Sequence, residues 1–186
     1  TADHGDMCGG HRMIDKHYVM YDDVVRVPLI VRWPERIRPG STTGAFVSSA
    51  LDLARTFVEV AGASVPAEFQ GESLLPVFQG EGNGRDSIFA AYHGNQFGLY
   101  SQRMVRTAEW KYVWNPTAED ELYHLAVDPA ELDNKAADPA YASQLASMRV
   151  RLATWLEATG DRLLNYWTRR QLLEGKKLGG PPPLPA

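Results

Sequence analysis

The sequence predicts an α/β protein in two parts: a remnant of a mixed, largely buried sheet with one helix, followed by a small antiparallel sheet with a packed C-terminal helix. Three stretches carry that prediction. Within residues 24–33, Val27, Leu29, Ile30 and Val31 are nearly continuous apolar residues, as expected of a strand covered on both faces. Met104 to Thr107 and Lys111 to Trp114 flank an Ala108-Glu109-Trp110 turn and read as a hairpin. Residues 139–159 place Leu145, Met148, Leu152, Trp155 and Leu156 at helical spacing, one face of a long helix that would pack on the hairpin.

The remaining elements follow in order. His17 to Asp23 is aromatic and acidic, and the strand over 24–33 carries Pro28 at its start or at a bulge before Pro34 and the Arg38-Pro39-Gly40 turn end it. Ser49 is placed to cap a helix over 51–61, whose Leu51, Leu53, Ala54, Phe57, Val58 and Val60 make a wide apolar face and whose stop is Gly62. Residues 70–80 read as a loop and a short helix. The polar connector Glu81 to Arg85, with Gly82 and Gly84, sets the expected boundary between a first region at 1–84 and a second at 85–162. In the second region Ser87 to Tyr92 alternates as a strand, Glu121 to Leu125 is a short strand or turn, Asp128 to Glu131 starts a helical turn, and Gly160 ends the long helix. Residues 163–186, with Lys176, Lys177 and three consecutive prolines from Pro181, are expected to form a flexible tail.

Composition bounds the function. A chain of 186 residues, 44% hydrophobic and 23% charged, has the balance of a globular domain, and its net charge of −4 offers no basic field to nucleic acid. One cysteine excludes an internal disulfide framework, no apolar run reaches the length of a membrane span, and nothing in the letters fixes a compartment.

Chemistry is densest in residues 1–16. Asp3 and His4 are adjacent and followed by Gly5, a pattern that suits a sharp turn aiming two side chains into one site. An ionised carboxylate and a neutral imidazole are both metal donors. Gly9 and Gly10 let the chain double back, so that His11 and the Lys16 ammonium return toward an anion held there. On the residues alone this is either a metal site or a polar loop with ordinary surface charges. His11 is equally a backbone-bonding loop residue or a substrate contact, and His93 either lines a pocket or lies on the surface. Cys8 reads as a small apolar loop residue, while His124 and Glu119-Asp120-Glu121 read as solvated. A zinc site from His4, His11 and His17 matches no compact zinc spacing.

The string DHGDMCGGHRMIDKHYVMYDDVVRVPLIVRWPERIRPG resembles the second signature region of the sulfatases in the alkaline phosphatase superfamily. LDLARTFVEVAG with QGESLLPVFQG is similar to that family's helix and G-x-S-L-x-P segment. MVRTAEWKYVWN and ELYHLAVDPAELDN resemble its R-T-x-x-x-K-Y hairpin and ELYDLxxDPxExxN stretch. The resemblance implies the C-terminal part of an alkaline-phosphatase-like mixed sheet domain, followed by the small antiparallel sheet and its helix. It implies a sulfuric ester hydrolase in which Asp3 and His4 hold a divalent metal, expected to be Ca2+ with Mg2+ or Mn2+ as alternatives, because His stands where many members have Asn. Lys16 matches the lysine that contacts sulfate; His11 is assigned with it to catalysis, and His93 with it to substrate binding. The family's nucleophile, a formylglycine made within C/S-x-P/A-x-R, is expected in an N-terminal half that this chain lacks. Cys8 and Arg12 have the right separation, but the Pro or Ala is missing. The chain alone is therefore expected to be inactive and to need that missing half as its partner. A phosphonate monoester or phosphodiester hydrolase, and a non-catalytic fragment or binding module, are the alternatives. Nothing in the sequence names the group that carries the sulfate.

Overall fold

A computed structural model describes residues 1–94 and 100–175. Two compact units divide the chain, one formed by Thr1–Lys16 and Tyr21–Ile88, the other by His17–Met20 and the chain from Phe89 onward. The second therefore starts four residues beyond the expected boundary at 84/85 and recruits a short piece of the opening region.

The first unit contains α1 (Asp22–Val25), α2 (Ser49–Val60) and α3 (Leu75–Phe78). No strand forms over 24–33: α1 takes its start, and residues 26–33 run on without ladder pairing, alternating half-buried and exposed positions. Extended backbone becomes a strand only when a neighbour accepts its hydrogen bonds, and Ile30, expected inside, is 87% exposed. α2 also departs from expectation. Its buried residues are Asp52 and Thr56, whereas Leu51, Phe57 and Val60 face outward. The reason is hydrogen bonding: the Asp52 carboxylate accepts from the Ser48 and Glu72 amides and from the Arg85 guanidinium, and the Thr56 hydroxyl accepts from the Leu74 amide. These bonds tie α2 to the 70–74 loop and to Arg85. The N-cap is Ser48, one residue before the expected Ser49, which is instead the first residue of the helix.

The second unit is built on a four-stranded sheet, β1 (Ile88–His93), β2 (Ser101–Arg106), β3 (Trp110–Trp114) and β4 (Glu121–His124), in that order. β2–β3 and β3–β4 are antiparallel, and the register aligns Val105, Tyr112 and Leu122 on one face. Against them pack Leu145, Met148, Leu152 and Leu156 of α4 (Ala142–Ala158), as the helical spacing predicts. A short 3-10 turn, Pro139–Tyr141, precedes α4, and Gly160 follows it at φ 64. The other face of the sheet carries Lys111, which is wholly buried.

The stretch from 163 is not a flexible tail throughout its described part. It holds α5 (Tyr166–Glu174), started by a capping box in which Asn165 accepts from the Thr168 amide and Thr168 accepts from the Asn165 amide. Leu172 enters the same core as α4, and the Gln171 amide donates to the Pro116 carbonyl. The signal was weak because one buried leucine and a cap, rather than a broad apolar face, dock this helix. Lys176, Lys177 and the prolines lie outside the described residues. Leu172→Ala is expected to destabilise the protein by about 2–5 kcal/mol, read from the urea midpoint; a shift equal to that of an exposed control such as Tyr166→Ala would show that α5 is not docked.

Candidate functional site

The opening loop is shaped by close approaches. The Gly5 amide donates to the Val24 carbonyl at 2.8 Å, and a Cβ on Gly5 would lie 2.0 Å from the Asp23 carbonyl oxygen, so only glycine fits. Beyond it, Met7 is buried and the chain reverses as the paired glycines predict. The Cys8 and Gly9 amides donate to the Ile14 and Met13 carbonyls at 3.1 and 2.8 Å, and Gly9 stands at φ 105.

The reversal returns Lys16 to the start of the chain. Its Nζ lies 3.2 Å from His4 Nε2. His4 Nδ1 lies 2.9 Å from the Gly5 carbonyl oxygen, which can only accept, so the proton sits on Nδ1 and the Nε2 lone pair receives the ammonium. The Asp3 carboxylate completes the group: Oδ1 accepts from the His4 amide at 3.1 Å, and Oδ2 lies 3.7 Å from His4 Nε2. Hydrogen bonds from the Asp3 and His4 backbone amides hold the Asp3 carboxyl below its ordinary range, and the Lys16 ammonium adds to them. Asp3 is exposed and His4 half-buried. Carboxylate, imidazole lone pair and ammonium thus lie side by side at the start of the chain.

Asp3 and His4 fit one side of a divalent ion's shell, since a single cation about 2.0–2.5 Å from each donor spans their separation. Two donors fall short of the six or so oxygen-type ligands a hard ion takes, and among the described residues no group of three or more His, Cys, Asp or Glu side chains is placed to hold a metal. The zinc reading from His4, His11 and His17 accordingly has no geometry behind it. His11 takes a left-handed backbone, φ 47, and its ring lies flat on Tyr21 with centroids 3.7 Å apart. Cys8 is an exposed free thiol rather than a packed apolar residue.

In the second unit, His93 ends β1 on the buried guanidinium of Arg103, whose Nη2 is 3.1 Å from His93 Nδ1. Arginine only donates, so Nδ1 accepts and a neutral ring carries its proton on Nε2. Arg103 is held bidentately by Asp161, at 2.7 and 3.0 Å, and also donates to the Tyr92 carbonyl. An acid and a histidine expected to be solvated are placed in contacts. Asp120 is buried, accepting from Tyr112, Arg149 and the Asn115 amide, and His124 stacks on Trp110 with centroids 4.1 Å apart.

Arg103, Asp161, Tyr100, Lys111 and Glu131 escaped the sequence reading. A signal existed for two: Arg103 shares the strand phase of Val105, and Lys111 interrupts the apolar run of β3, both marks of a buried, partnered cation.

The profile of the family described as "N-sulphoglucosamine sulphohydrolase, C-terminal" matches residues 9–158. The chain belongs to this sulfatase family. The match takes in Lys16, the sheet and α4, and starts just after Asp3 and His4. An N-acetylglucosamine-6-O-sulfatase of Bacteroides thetaiotaomicron is 34% identical over 152 residues, covering 77% of this chain and 27% of that protein. The solved structure of BT4656 in complex with its substrate D-glucosamine-2-N,6-O-disulfate superposes with a TM-score of 0.77 at 31% identity, over 86% of this chain and 34% of that one. The phosphonate monoester hydrolase of Silicibacter pomeroyi gives 0.74 at 26% identity, over 88% and 35%. The sulfatase fold of the alkaline phosphatase superfamily is therefore shared, and the chain spans about a third of the length of these relatives. No helix among the described residues is long and apolar enough to cross a membrane.

The Arg103–Asp161 pair has a pH consequence. Burial raises the Asp161 carboxyl, but the Arg103 guanidinium and the Leu163 amide outweigh it and leave the group below its ordinary range. A depressed carboxyl contributes stability that is fully present above its unfolded pKa of about 3.9 and is lost as pH falls through the folded value. Asp161→Asn should therefore lower stability at neutral pH and flatten the acid limb of the stability curve below about pH 4, measured as urea midpoint against pH. An unchanged acid limb would show that Arg103 does not hold this carboxylate in solution.

Proposed function

We propose that this chain is the C-terminal portion of a sulfate-ester hydrolase, with Lys16 as the contact to the ester's anionic group and Asp3 and His4 as part of a divalent metal site. The observation that carries the reading is the convergence of Lys16 Nζ on His4 Nε2 at 3.2 Å beside the Asp3 carboxylate, in a chain of the sulfatase family. A bound divalent cation, Ca2+ first with Mg2+ or Mn2+ as alternatives, would gather ester oxygens and neutralise their charge. Lys16 adds a mobile positive charge that leaves the His4 lone pair for the ester and follows negative charge onto the leaving oxygen. His4 keeps its lone pair aimed inward because Gly5 fixes the tautomer. His11, stacked on Tyr21, supports the loop's shape, and that contact favours a role in orientation over direct chemistry. His93 offers an Nε2–H to a substrate oxygen. Relatives named for sulfated sugars make a sulfated carbohydrate the first substrate class to try. The nucleophile and remaining metal ligands are assigned to the polypeptide that completes the sulfatase length.

In that complete polypeptide, Lys16→Ala should lower kcat for an aryl or sugar sulfate by about a hundredfold or more with little change in melting temperature. Unchanged turnover at saturating substrate would remove Lys16 from the chemistry. Elemental analysis should find a divalent ion that Asp3→Ala depletes, and the 186-residue chain by itself should turn over nothing. Metal-dependent hydrolysis by that chain alone would show that the nucleophile has been mislocated. The phosphonate hydrolase likeness makes a phosphonate monoester the paired assay, and preference for it over the matched sulfate would favour the second reading.

A further inference from the structure

Lys16 is followed at once by a segment that the second unit grips. His17 turns the chain through a left-handed backbone at φ 47, and the next residues belong to the second unit. The Tyr18 carbonyl accepts from the Tyr100 hydroxyl at 2.6 Å, and the Tyr18 ring lies 5.3 Å from that of Tyr92. Two residues on, the Met20 carbonyl accepts from Lys111 Nζ at 2.9 Å. Lys111 is wholly buried and ion-paired with Glu131 Oε1 at 2.6 Å; Glu131 is itself 3% exposed and held in a left-handed conformation at φ 57. Burial and the neighbouring Tyr92 raise the Tyr100 phenol, which keeps it an O–H donor.

We propose that Tyr100 and Lys111 are positioning residues for Lys16: they fix the backbone carbonyls of Tyr18 and Met20, two and four residues after it in the chain. The inference rests on the reading of Lys16 given under Proposed function. Its physical basis is an imbalance. Packing alone would hold a four-residue coil segment loosely, yet here a desolvated ammonium, its buried carboxylate and a strained backbone converge on one main-chain oxygen. A charge-assisted bond in a dry setting is short and directional. A displacement of about 1 Å at a reacting group costs up to a hundredfold in rate, so a clamp four residues from Lys16 has leverage that a looser contact lacks.

Two variants test this in the complete polypeptide. Tyr100→Phe removes one hydroxyl and keeps the ring. Lys111→Met with Glu131→Gln removes both charges together, so neither is left buried and unpaired. The first readout is tryptic cleavage at Lys16–His17 relative to Arg12–Met13 in the same digest. Loss of the clamp should raise that ratio about fivefold or more, by local opening, and an unchanged ratio in both variants would overturn the proposal. The second is a double-mutant cycle with Lys16→Ala. Tyr100→Phe should lower kcat/KM about tenfold when Lys16 is present and less than about twofold when it is absent, whereas equal effects in the two backgrounds would overturn action through Lys16. If the parent hydrolyses no sulfate ester, or Lys16→Ala matches it, the functional reading falls, and the cleavage ratio still decides whether the clamp exists.

Discussion

A lysine ammonium with no access to water sets the terms for the second unit. Lys111 stands in the middle of the sheet, on the face away from α4, and a charge there is tolerable only with a close counter-ion and filled hydrogen bonds. Glu131 supplies the charge, and its own chain bends into a left-handed residue to do so. The Asp128 carboxylate supports that bend by accepting from the Leu132 and Asp133 amides. Removing one partner of such a pair typically costs about 3–5 kcal/mol, comparable with losing a core leucine. The ion pair therefore does on one face of the sheet what α4 does on the other: it fixes which loop lies there and in what register.

Each unit is held together internally by different physics. The second is an apolar core in the ordinary sense, with Trp114, Tyr112, Leu152, Leu156 and Leu172 shut off from water. The first is organised by hydrogen bonds to buried polar side chains, Asp52 above all, while Leu51, Phe57, Val60 and Ile30 stay exposed. Hydrogen bonds fix geometry and add little net stability, whereas buried apolar area supplies most of the driving force. The first unit thus has its shape specified more strongly than its stability.

That contrast explains what was legible in the sequence. The hairpin, the long helix and the β4 segment were readable because their side chains answer to the sheet and helix periods in a core the chain itself closes. The strand expected over 24–33 and the apolar face expected on α2 were read from composition that calls for a covering layer, and the described residues give them none. In the opening loop, the return of Lys16 toward Asp3 and His4 could be read because two glycine steps dictate where the chain turns back. Tyr100 and Glu131 could not, since a tyrosine after a loop and an acid in a turn look ordinary until the backbone oxygens and charges they meet are known.

The opening loop holds Cys8, His11, Arg12 and His17 in left-handed backbone conformations, and of these only the histidines are of a type that adopts one comparatively often. Glycine or asparagine would hold the same path with less strain. What is under constraint in this loop is therefore the sequence of backbone angles between Gly5 and Lys16, braced by the His11 ring on Tyr21. A search for distant relatives that weights letter identity across Cys8 to His17 will discard chains with the same loop path. One that asks for a glycine-anchored reversal returning a lysine to an Asp-His pair will keep them.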